Sequence, residues 1–225
     1  EEWDHRGIVR YRYDPERVQG GGKCGPILVI SGSCAAVAGR QIEWAAAHRY
    51  LEIGIQTEML FEDINRKKER ERVAQQAISA LKHGRSVVIH SAMGPIDPRI
   101  FRTKKLVEGL GMTSQNTVDI LGQALGELAT KIISISKVRR LILSGGDTAG
   151  RITKTLGIWA LQVGRSVGVP APLCYAYSTY PEINGLQIAY KGGQVGGDNY
   201  FDVVRRKEMP DFRQVAIGRI QNKKG

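Results

Sequence analysis

The sequence has few cysteines and no long apolar run. It also lacks the Walker motif that binds phosphate and the H-E-x-x-H motif that binds zinc. Its three cysteines, Cys24, Cys34 and Cys174, are widely scattered, which excludes a disulfide or zinc framework and is typical of a reducing compartment. No run approaches the ~20 apolar residues that span a bilayer, and no signal-peptide pattern opens the chain. We therefore expect a cytoplasmic protein with no membrane contact.

Two missing motifs argue against two common classes of protein. Gly22-Lys23 is followed by Cys24, so the Walker pattern G-x-x-x-x-G-K-[ST] is absent, and H-E-x-x-H does not occur. The four histidines lack the spacing of metal ligands. These absences argue against an ordinary P-loop protein and a zinc enzyme, and no residue is predicted to be a metal ligand.

Charge of one sign is in excess. The 225 residues carry 33 Lys and Arg against 22 Asp and Glu, a formal net charge of +11. This balance favours an anionic partner and leaves open a phosphorylated metabolite, a nucleotide, nucleic acid or an acidic protein. Aromatic residues are few and do not interleave with a basic stripe, which argues against nucleic acid.

Helical and strand periodicities alternate along the chain. Strands are predicted at residues 27–31, 87–90, 141–143 and 186–190, and helices at 42–50, 66–81, 115–135 and 151–163. Two prolines predict irregular structure at 91–98. The alternation predicts an α/β fold of three layers, with a largely parallel sheet and helices on both faces.

Glycine-rich loops follow two of these strands. Ser144-Gly145-Gly146-Asp147-Thr148 precedes a helix that Asp147 or Thr148 is expected to cap, and residues 191–198 read Lys-Gly-Gly-Gln-Val-Gly-Gly-Asp. Glycine lets successive backbone amides approach an anion, so both loops are candidate phosphate cradles. The alternatives are a capped turn for the first and a surface loop for the second.

Several charged residues also have both a functional and a structural interpretation. Asp147 and Asp198 are candidates either to contact a magnesium ion, directly or through water, or to act only as caps. Asp97 with Arg99 is a candidate salt-bridged turn. The run Arg205-Arg206-Lys207 indicates solvated surface charge.

Taken together, the loops resemble the nucleotide-binding C-terminal domain of the four-carbon acid sugar kinase family. The segments that carry the resemblance are Gly32-Ser33-Cys34 with Arg40-Gln41-Ile42, Gly94-Pro95 with Asp97-Pro98-Arg99, Ser144 to Thr148, Ala171-Pro172-Leu173-Cys174, and Gly185 to Gly197. The resemblance implies ATP-dependent phosphorylation of a hydroxyl on a small sugar acid, with Mg²⁺ as the metal that accompanies ATP. Ala35, Ala36 and Ala38 stand where the family has a serine, a proline and a threonine, so the resemblance implies that hydroxyl contacts to the nucleotide are missing and that affinity or activity is reduced.

The resemblance also assigns roles to residues. Lys191 and Asp147 are expected to act on the transferred group. Contacts to the nucleotide are expected from Ser33, Gly94, Gly145, Gly146, Asp147, Thr148, Gly192, Gly193 and Gly196. The acidic motif of the family's sugar-acid domain is missing, so we expect only the ATP-binding part of the kinase, with the substrate reaching it through an upstream domain.

The predicted organisation has three parts: residues 1–25 as a connector from that upstream domain, 26–208 as the nucleotide-binding domain, and 209–225 as a basic tail. Two alternatives stay open, a non-catalytic module that binds a nucleotide or phosphometabolite, and a basic nucleic-acid-binding domain. A homodimer is also open, and the sequence does not identify the acceptor or the general base.

Overall fold

A seven-stranded sheet organises the part of the chain that is described. The structure is a computed structural model that describes residues 25–166 and 172–209. The strands are β1 (Leu28–Ser31), β2 (Leu51–Gly54), β3 (Val87–His90), β4 (Arg140–Ser144), β5 (Ile158–Ser166), β6 (Pro172–Ser178) and β7 (Gln187–Lys191). The helices are α1 (Ala36–Ala47), α2 (Asp63–Lys82), α3 (Pro98–Gly109), α4 (Ser114–Ser136), α5 (Gly146–Thr155) and α6 (Tyr200–Arg206), with a short 3-10 helix at Thr57–Phe61.

These elements lie within one compact unit, Lys23–Lys207. The predicted connector at 1–25 and the predicted tail at 209–225 fall outside the described residues except for Gly25 and Met209. The predicted boundaries of the three parts therefore stay predictions.

The strand order is β2-β3-β1-β4-β7-β6-β5. Neighbouring strands from β2 to β7 run parallel, and β6 and β5 extend the sheet in antiparallel pairing. Helices α1 and α6 contact each other, whereas α2, α4 and α5 form a separate packed group. The predicted α/β class is confirmed.

The central strands are buried on both faces because helices cover both sides of the sheet. Every residue of β1, β3 and β4 is buried. On one face, Leu28 and Ile30 join the cluster that includes α2, α4 and α5. The other face buries Val29 and Ile142, together with Ile42 of α1 and Phe201 of α6.

Two glycines of α4 bring α5 unusually close. A Cβ on Gly122 would lie 2.4 Å from Cβ of Arg151, and one on Gly126 would lie 2.5 Å from Cβ of Thr155. Only glycine permits this separation of the helix backbones. The contact fixes the direction of α5 and hence the position of its amino terminus.

One predicted helix is wrong. Residues 151–163 carry Ile152, Leu156 and Trp159 at helical spacing, yet α5 ends at Thr155 and β5 begins at Ile158. Gly157, with a φ of 62°, turns the chain between them. The apolar side chains that completed the helical pattern, including Trp159 at 69% exposure, belong to an edge strand.

Other boundaries differ from prediction. The helix predicted at 42–50 begins earlier and ends earlier, at Ala36–Ala47. The strands β2 and β6 and the helix α3 were not predicted. The irregular segment predicted at 91–98 ends at Asp97, whose side chain accepts from the backbone N–H of Arg99 and caps α3. Pro98 fits the first turn of that helix because no intrahelical donor is needed there.

No helix within residues 25–166 or 172–209 is long and apolar enough to cross a membrane.

Candidate functional site

The carboxyl ends of three parallel strands meet at one level. In the register of the sheet, Ser31 of β1 lies beside Ser144 of β4, and Ser144 lies beside Lys191 of β7. The N–H of Gly32 donates to the carbonyl of Ser144 at 2.9 Å, and the N–H of Gly145 donates to that of Lys191 at 3.0 Å. In the sheet, β3 and β2 lie on one side of β1, and β4 lies on the other side. The strand order therefore reverses at β1, and α/β sheets bind ligands at the carboxyl ends of the strands at such a switch point.

Glycines let the loops beyond these strands touch. A Cβ on Gly32 would lie 2.2 Å from Oγ1 of Thr148, and one on Gly193 would lie 2.1 Å from Oγ of Ser33. Gly145 has a φ of 113°, a conformation that other residues rarely adopt. The structure therefore brings together four of the predicted site residues, Ser33, Gly145, Thr148 and Gly193.

The amino terminus of α5 opens onto these loops without a side-chain cap. Gly145 occupies the N-cap position and no side chain bonds there, so the prediction that Asp147 or Thr148 caps the helix is wrong. The hydroxyl of Thr148 packs against Gly32 instead, while Gly146 and Asp147 are exposed. Uncapped amides at the positive end of a helix dipole favour an anion.

Lys191 lies buried beneath the loops. Its side chain donates from Nζ to Oγ of Ser144 at 3.1 Å, and Nζ lies 5.8 Å from the ring centroid of Tyr200. No ion pair joins it to a carboxylate among the described residues. Burial lowers the pKa of Lys191 to about 8. A buried ammonium without a counter-charge is costly and favours a bound anion.

Gln41 of α1 anchors the second glycine loop. Its Nε2 lies 2.9 to 3.2 Å from the carbonyl oxygens of residues 195–197. Gly196 in that loop has a φ of 87° and packs on the ring of Tyr200, while Gly192 has ordinary surroundings. We did not predict this role, although Gln41 lies on the same helical face as buried alanines, three residues after one and four before the next.

Asp198, one of the two carboxylates considered as magnesium contacts or caps, pairs with Arg40. Nε of Arg40 lies 3.1 Å from Oδ1 of Asp198, and both side chains are about half exposed. Among residues 25–166 and 172–209, no three His, Cys, Asp or Glu side chains cluster as metal ligands. Asp147 is thus the predicted carboxylate that lies exposed at the helix start.

The loop after β3 approaches the same edge against α1. Gly94, predicted as a nucleotide contact, has a φ of 96°, and a Cβ on Gly39 would lie 3.1 Å from its nitrogen. Of the three alanines that replace the serine, proline and threonine of the family pattern, Ala38 is buried, Ala35 is partly buried and Ala36 is exposed.

A charged network holds this third loop. Asp97 accepts from the N–H of Met93 at 2.7 Å and forms an ion pair with Arg99 at 2.5 Å, and the Arg99 guanidinium holds the pKa of Asp97 well below its usual range. Arg99 also lies 3.2 Å from Nδ1 of His90, whose Nε2 contacts Glu52. The predicted salt-bridged turn is confirmed.

An apolar cavity of about 370 Å³ adjoins the loops after β1 and β3. Cys34, Ser91 and Ala92 form the wall nearest those loops, and apolar side chains of α3 and α4 form much of the remainder. Burial raises the pKa of the Cys34 thiol, which keeps it protonated. The edge therefore combines an apolar cavity with a neighbouring anion cradle.

Comparison with known proteins agrees with this arrangement. The model of a family described as "Nucleotide-binding C-terminal domain" matches residues 28–201. The chain is 36% identical over 183 residues to 3-oxo-isoapionate kinase of Paraburkholderia graminis, covering 81% of this chain and 39% of that protein. It is 27% identical to D-threonate kinase of Salmonella typhimurium, covering 77% and 40%. The chain thus spans well under half the length of these relatives.

Solved structures share the fold at low sequence identity. A putative tRNA synthase from Salmonella typhimurium aligns with a TM-score of 0.62 and 20% identity, over 85% of this chain and 43% of that one. A Haemophilus influenzae protein aligns with a TM-score of 0.64 and 19% identity, over 83% and 41%. At this identity the likeness concerns the fold alone.

Proposed function

The chain belongs to the four-carbon acid sugar kinase family, and we propose that it binds ATP as the donor half of a kinase that phosphorylates a hydroxyl of a small sugar acid of about four carbons. The relatives named above act as kinases of 3-oxo-isoapionate and D-threonate. This chain spans 39% of the first of them. On the family resemblance, the acceptor site and the general base are proposed to belong to the family's sugar-acid domain.

The buried ammonium of Lys191 carries the proposal. It lies 4% exposed where the loops after β1, β4 and β7 converge, and its side chain donates a hydrogen bond to a neutral hydroxyl, that of Ser144. A polyphosphate in the cradle would supply the missing negative charge. Phosphoryl transfer depends mainly on positioning and on stabilising charge, which a fixed cation beneath the phosphates provides.

The cradle supplies backbone donors for the phosphates. The uncapped first turn of α5, with Gly145, Gly146 and Thr148, and the packed pair Ser33 and Gly193 would surround the polyphosphate. Gly196 and Gly94, both with positive φ, shape the loop that carries Gly193 and the loop that borders the cavity, whereas Gly192 has no close contact that requires glycine.

Magnesium fits one position at this edge. Asp147 is exposed in the first turn of α5 and is free of the ion pair that engages Asp198. Mg²⁺ in phosphoryl-transfer sites keeps several waters and uses few carboxylates, so one aspartate suffices. When bound, the ion would neutralise phosphate charge, and Asp147 would orient it.

The apolar cavity is the proposed site of the adenine. Its volume of about 370 Å³ lies in the range of small-ligand pockets, and its wall at Cys34 directly follows Ser33 of the cradle. A base seated between α3 and α4 would leave its phosphates directed toward α5. We further propose a cytoplasmic location, where ATP is available, and leave a homodimer open.

The test uses two glycines of the same helix. A Cβ at Gly146 or Gly150 would meet no atom within 4 Å beyond its chain neighbours and its own helix backbone, so both positions have open space for a side chain. Gly146→Asp places a negative charge at the cradle and should abolish Mg-ATP binding in calorimetry, whereas Gly150→Asp, one turn further on, should bind like wild type. Equal affinity of all three proteins would contradict the proposal.

Turnover separates a kinase from a binding module. ATP consumption is to be followed with a panel of sugar acids, in a protein that contains the sugar-acid domain. Phosphorylated product is expected from at least one four-carbon acid. Tight ATP binding without any turnover would instead favour a non-catalytic sensor, and stabilisation by DNA equal to that by Mg-ATP would favour a nucleic-acid-binding domain.

A further inference from the structure

A second cavity, of about 480 Å³, lies at the amino-terminal ends of the parallel strands β2 and β3. Its walls come from the residues just before β2, the residues just before β3 and two residues of α6, Asp202 and Arg205. The proposed nucleotide site lies where these parallel strands end, so the two cavities are at opposite ends of the strands. Nothing in the proposed kinase function uses this one.

Cationic side chains dominate its walls. Arg49, Arg85 and Arg205 line the cavity against a single acid, Asp202. That acid is also bound by Arg206, with Nε 2.6 Å from Oδ2, so its charge is already compensated. The run at 205–207, expected to be solvated charge, is therefore partly built into the fold.

Two of the arginines are held in place by their own hydrogen bonds. Arg85 donates from Nε to the carbonyl of Arg49 at 3.0 Å and from a terminal nitrogen to that of Tyr50 at 2.9 Å. Arg205 lies 2.8 Å from Asp202. Each guanidinium has five N–H donors, so both retain donors for a ligand.

Arg49 is the uncommitted cation. Its side chain is exposed and forms no ion pair within the described residues. Its φ of 69° places it just after α1 at a position that usually holds glycine, where the N–H of Tyr50 donates to the carbonyl of Ala45 at 3.1 Å. An arginine thus occupies a backbone position at which glycine is the less strained residue.

A buried hydroxyl on the cavity wall lacks a partner. Tyr50 is 4% exposed, and its hydroxyl makes no hydrogen bond in the described residues. Burial raises the pKa of Tyr50 to about 12, against the lowering effect of Arg205 and Ser86 nearby, so the group stays a neutral donor. An unsatisfied buried donor is costly unless a ligand accepts from it.

We propose that this cavity binds a small phosphate-bearing anion at a site separate from the nucleotide. Guanidinium forks match the geometry of phosphate oxygens, and three arginines line this cavity together with Tyr50. The volume accommodates a phosphorylated metabolite and not merely a single ion. The inference does not depend on ATP binding at the other edge.

The experiment is a titration of the 225-residue protein with inorganic phosphate, followed through backbone amide NMR signals at constant ionic strength. Saturable shifts are expected at Arg49, Tyr50 and Arg85, distinct from any at Gly145 and Gly193. Arg49→Gly should weaken phosphate binding there by about fivefold or more, while the melting temperature stays equal or rises because glycine relieves the positive φ.

Lys137→Gly is the matched control. Lys137 is also exposed, has a φ of 58° at the end of a helix and does not line the cavity. The substitution removes the same charge from the same backbone conformation, and phosphate should bind at Arg49 and Arg85 as in wild type.

Shifts confined to Gly145 and Gly193 would overturn this inference while supporting the proposed function. Linear, non-saturating shifts at Arg49 would also overturn it. So would equal shifts with acetate at the same ionic strength, because they would contradict the selectivity for phosphate.

Discussion

The side-chain amide of Gln41 donates to the carbonyl oxygen of Val195 across 2.9 Å, which ties α1 to the glycine loop after β7. The same nitrogen reaches the carbonyls of Gly196 and Gly197 at 3.2 and 3.0 Å. Three acceptors thus converge on one donor, and the shape of a loop without regular structure depends on a helix 154 residues away in sequence.

Gln41→Glu should detach this loop. A carboxylate has no N–H to donate and would repel three carbonyl oxygens, so we expect a loss of about 1–3 kcal/mol in the free energy of unfolding and a fall of about tenfold or more in ATP affinity. Chemical denaturation and calorimetry measure the two effects. Gln162→Glu is the control, because Gln162 accepts from the Tyr177 hydroxyl through its oxygen and a carboxylate keeps that bond. Wild-type ATP affinity in Gln41→Glu would contradict the anchoring role.

Gly193 and its neighbour Gly192 form a matched pair for the cradle. A Cβ on Gly193 would lie 2.1 Å from Oγ of Ser33 and 2.9 Å from Cβ of Ala35, whereas one on Gly192 would meet its nearest atom, in Val195, at 3.4 Å. Gly193→Ala should push the loops after β1 and β7 apart, at a cost of about 1–3 kcal/mol in stability, and lower ATP affinity about tenfold or more. Gly192→Ala should leave both unchanged, and similar affinities for the two variants would show that the loops do not meet as described.

Lys191 should couple ATP binding to protonation. Its pKa of about 8 without ligand should rise beside a polyphosphate, so binding near pH 8.5 should take up a proton and affinity should fall as pH rises above about 8. Calorimetry in two buffers of different ionisation enthalpy measures that uptake, which Lys191→Met should remove. No proton uptake in wild type near pH 8.5 would argue against contact between Lys191 and the phosphates.

Raising the pH should lower ATP affinity through Lys191, but the same lysine should make the free energy of unfolding rise with pH. Its pKa in the free folded protein lies below the value of 10.5 expected when unfolded. Between about pH 8 and 10.5 the unfolded chain therefore binds more protons, and this group makes the free energy of unfolding rise with pH. Lys191→Met should abolish that contribution in urea titrations without ligand, and a slope unchanged by the substitution would contradict the burial of the ammonium.

A bulky side chain in the apolar cavity should block binding of the adenine without affecting binding of the phosphates. Val118 lines the cavity from α4, so Val118→Trp should exclude the adenine and weaken ATP binding about tenfold or more while inorganic tripolyphosphate binds as before. Ile135→Trp, at an exposed position near the other end of the same helix, should have no effect on either ligand. Undiminished ATP affinity in Val118→Trp would exclude this cavity as the adenine site.

The sequence predicts a helix or strand well where the spacing of apolar residues within that element reflects the face that is buried. The helix at 115–135 and the strand at 87–90 agree with α4 and β3 within a residue or two, because apolar spacing directly reflects which face of an element is buried. The edge strand β5 escaped prediction because its exposed Trp159 sits at helical spacing from Ile152 and Leu156 of the preceding element. Only the turn at Gly157 breaks that pattern.

The sequence by itself determined the α/β class, the family and the presence of glycine loops after strands, since each is written in contiguous residues. Only the tertiary structure decided that Ser33, Thr148 and Gly193 touch, that Lys191 is buried beneath them without a carboxylate, and that Gln41 anchors the loop. It also assembled Arg49, Arg85 and Arg205 into one cavity. These relationships join residues far apart in the chain, and their geometry follows from strand order and helix packing, which no local pattern specifies.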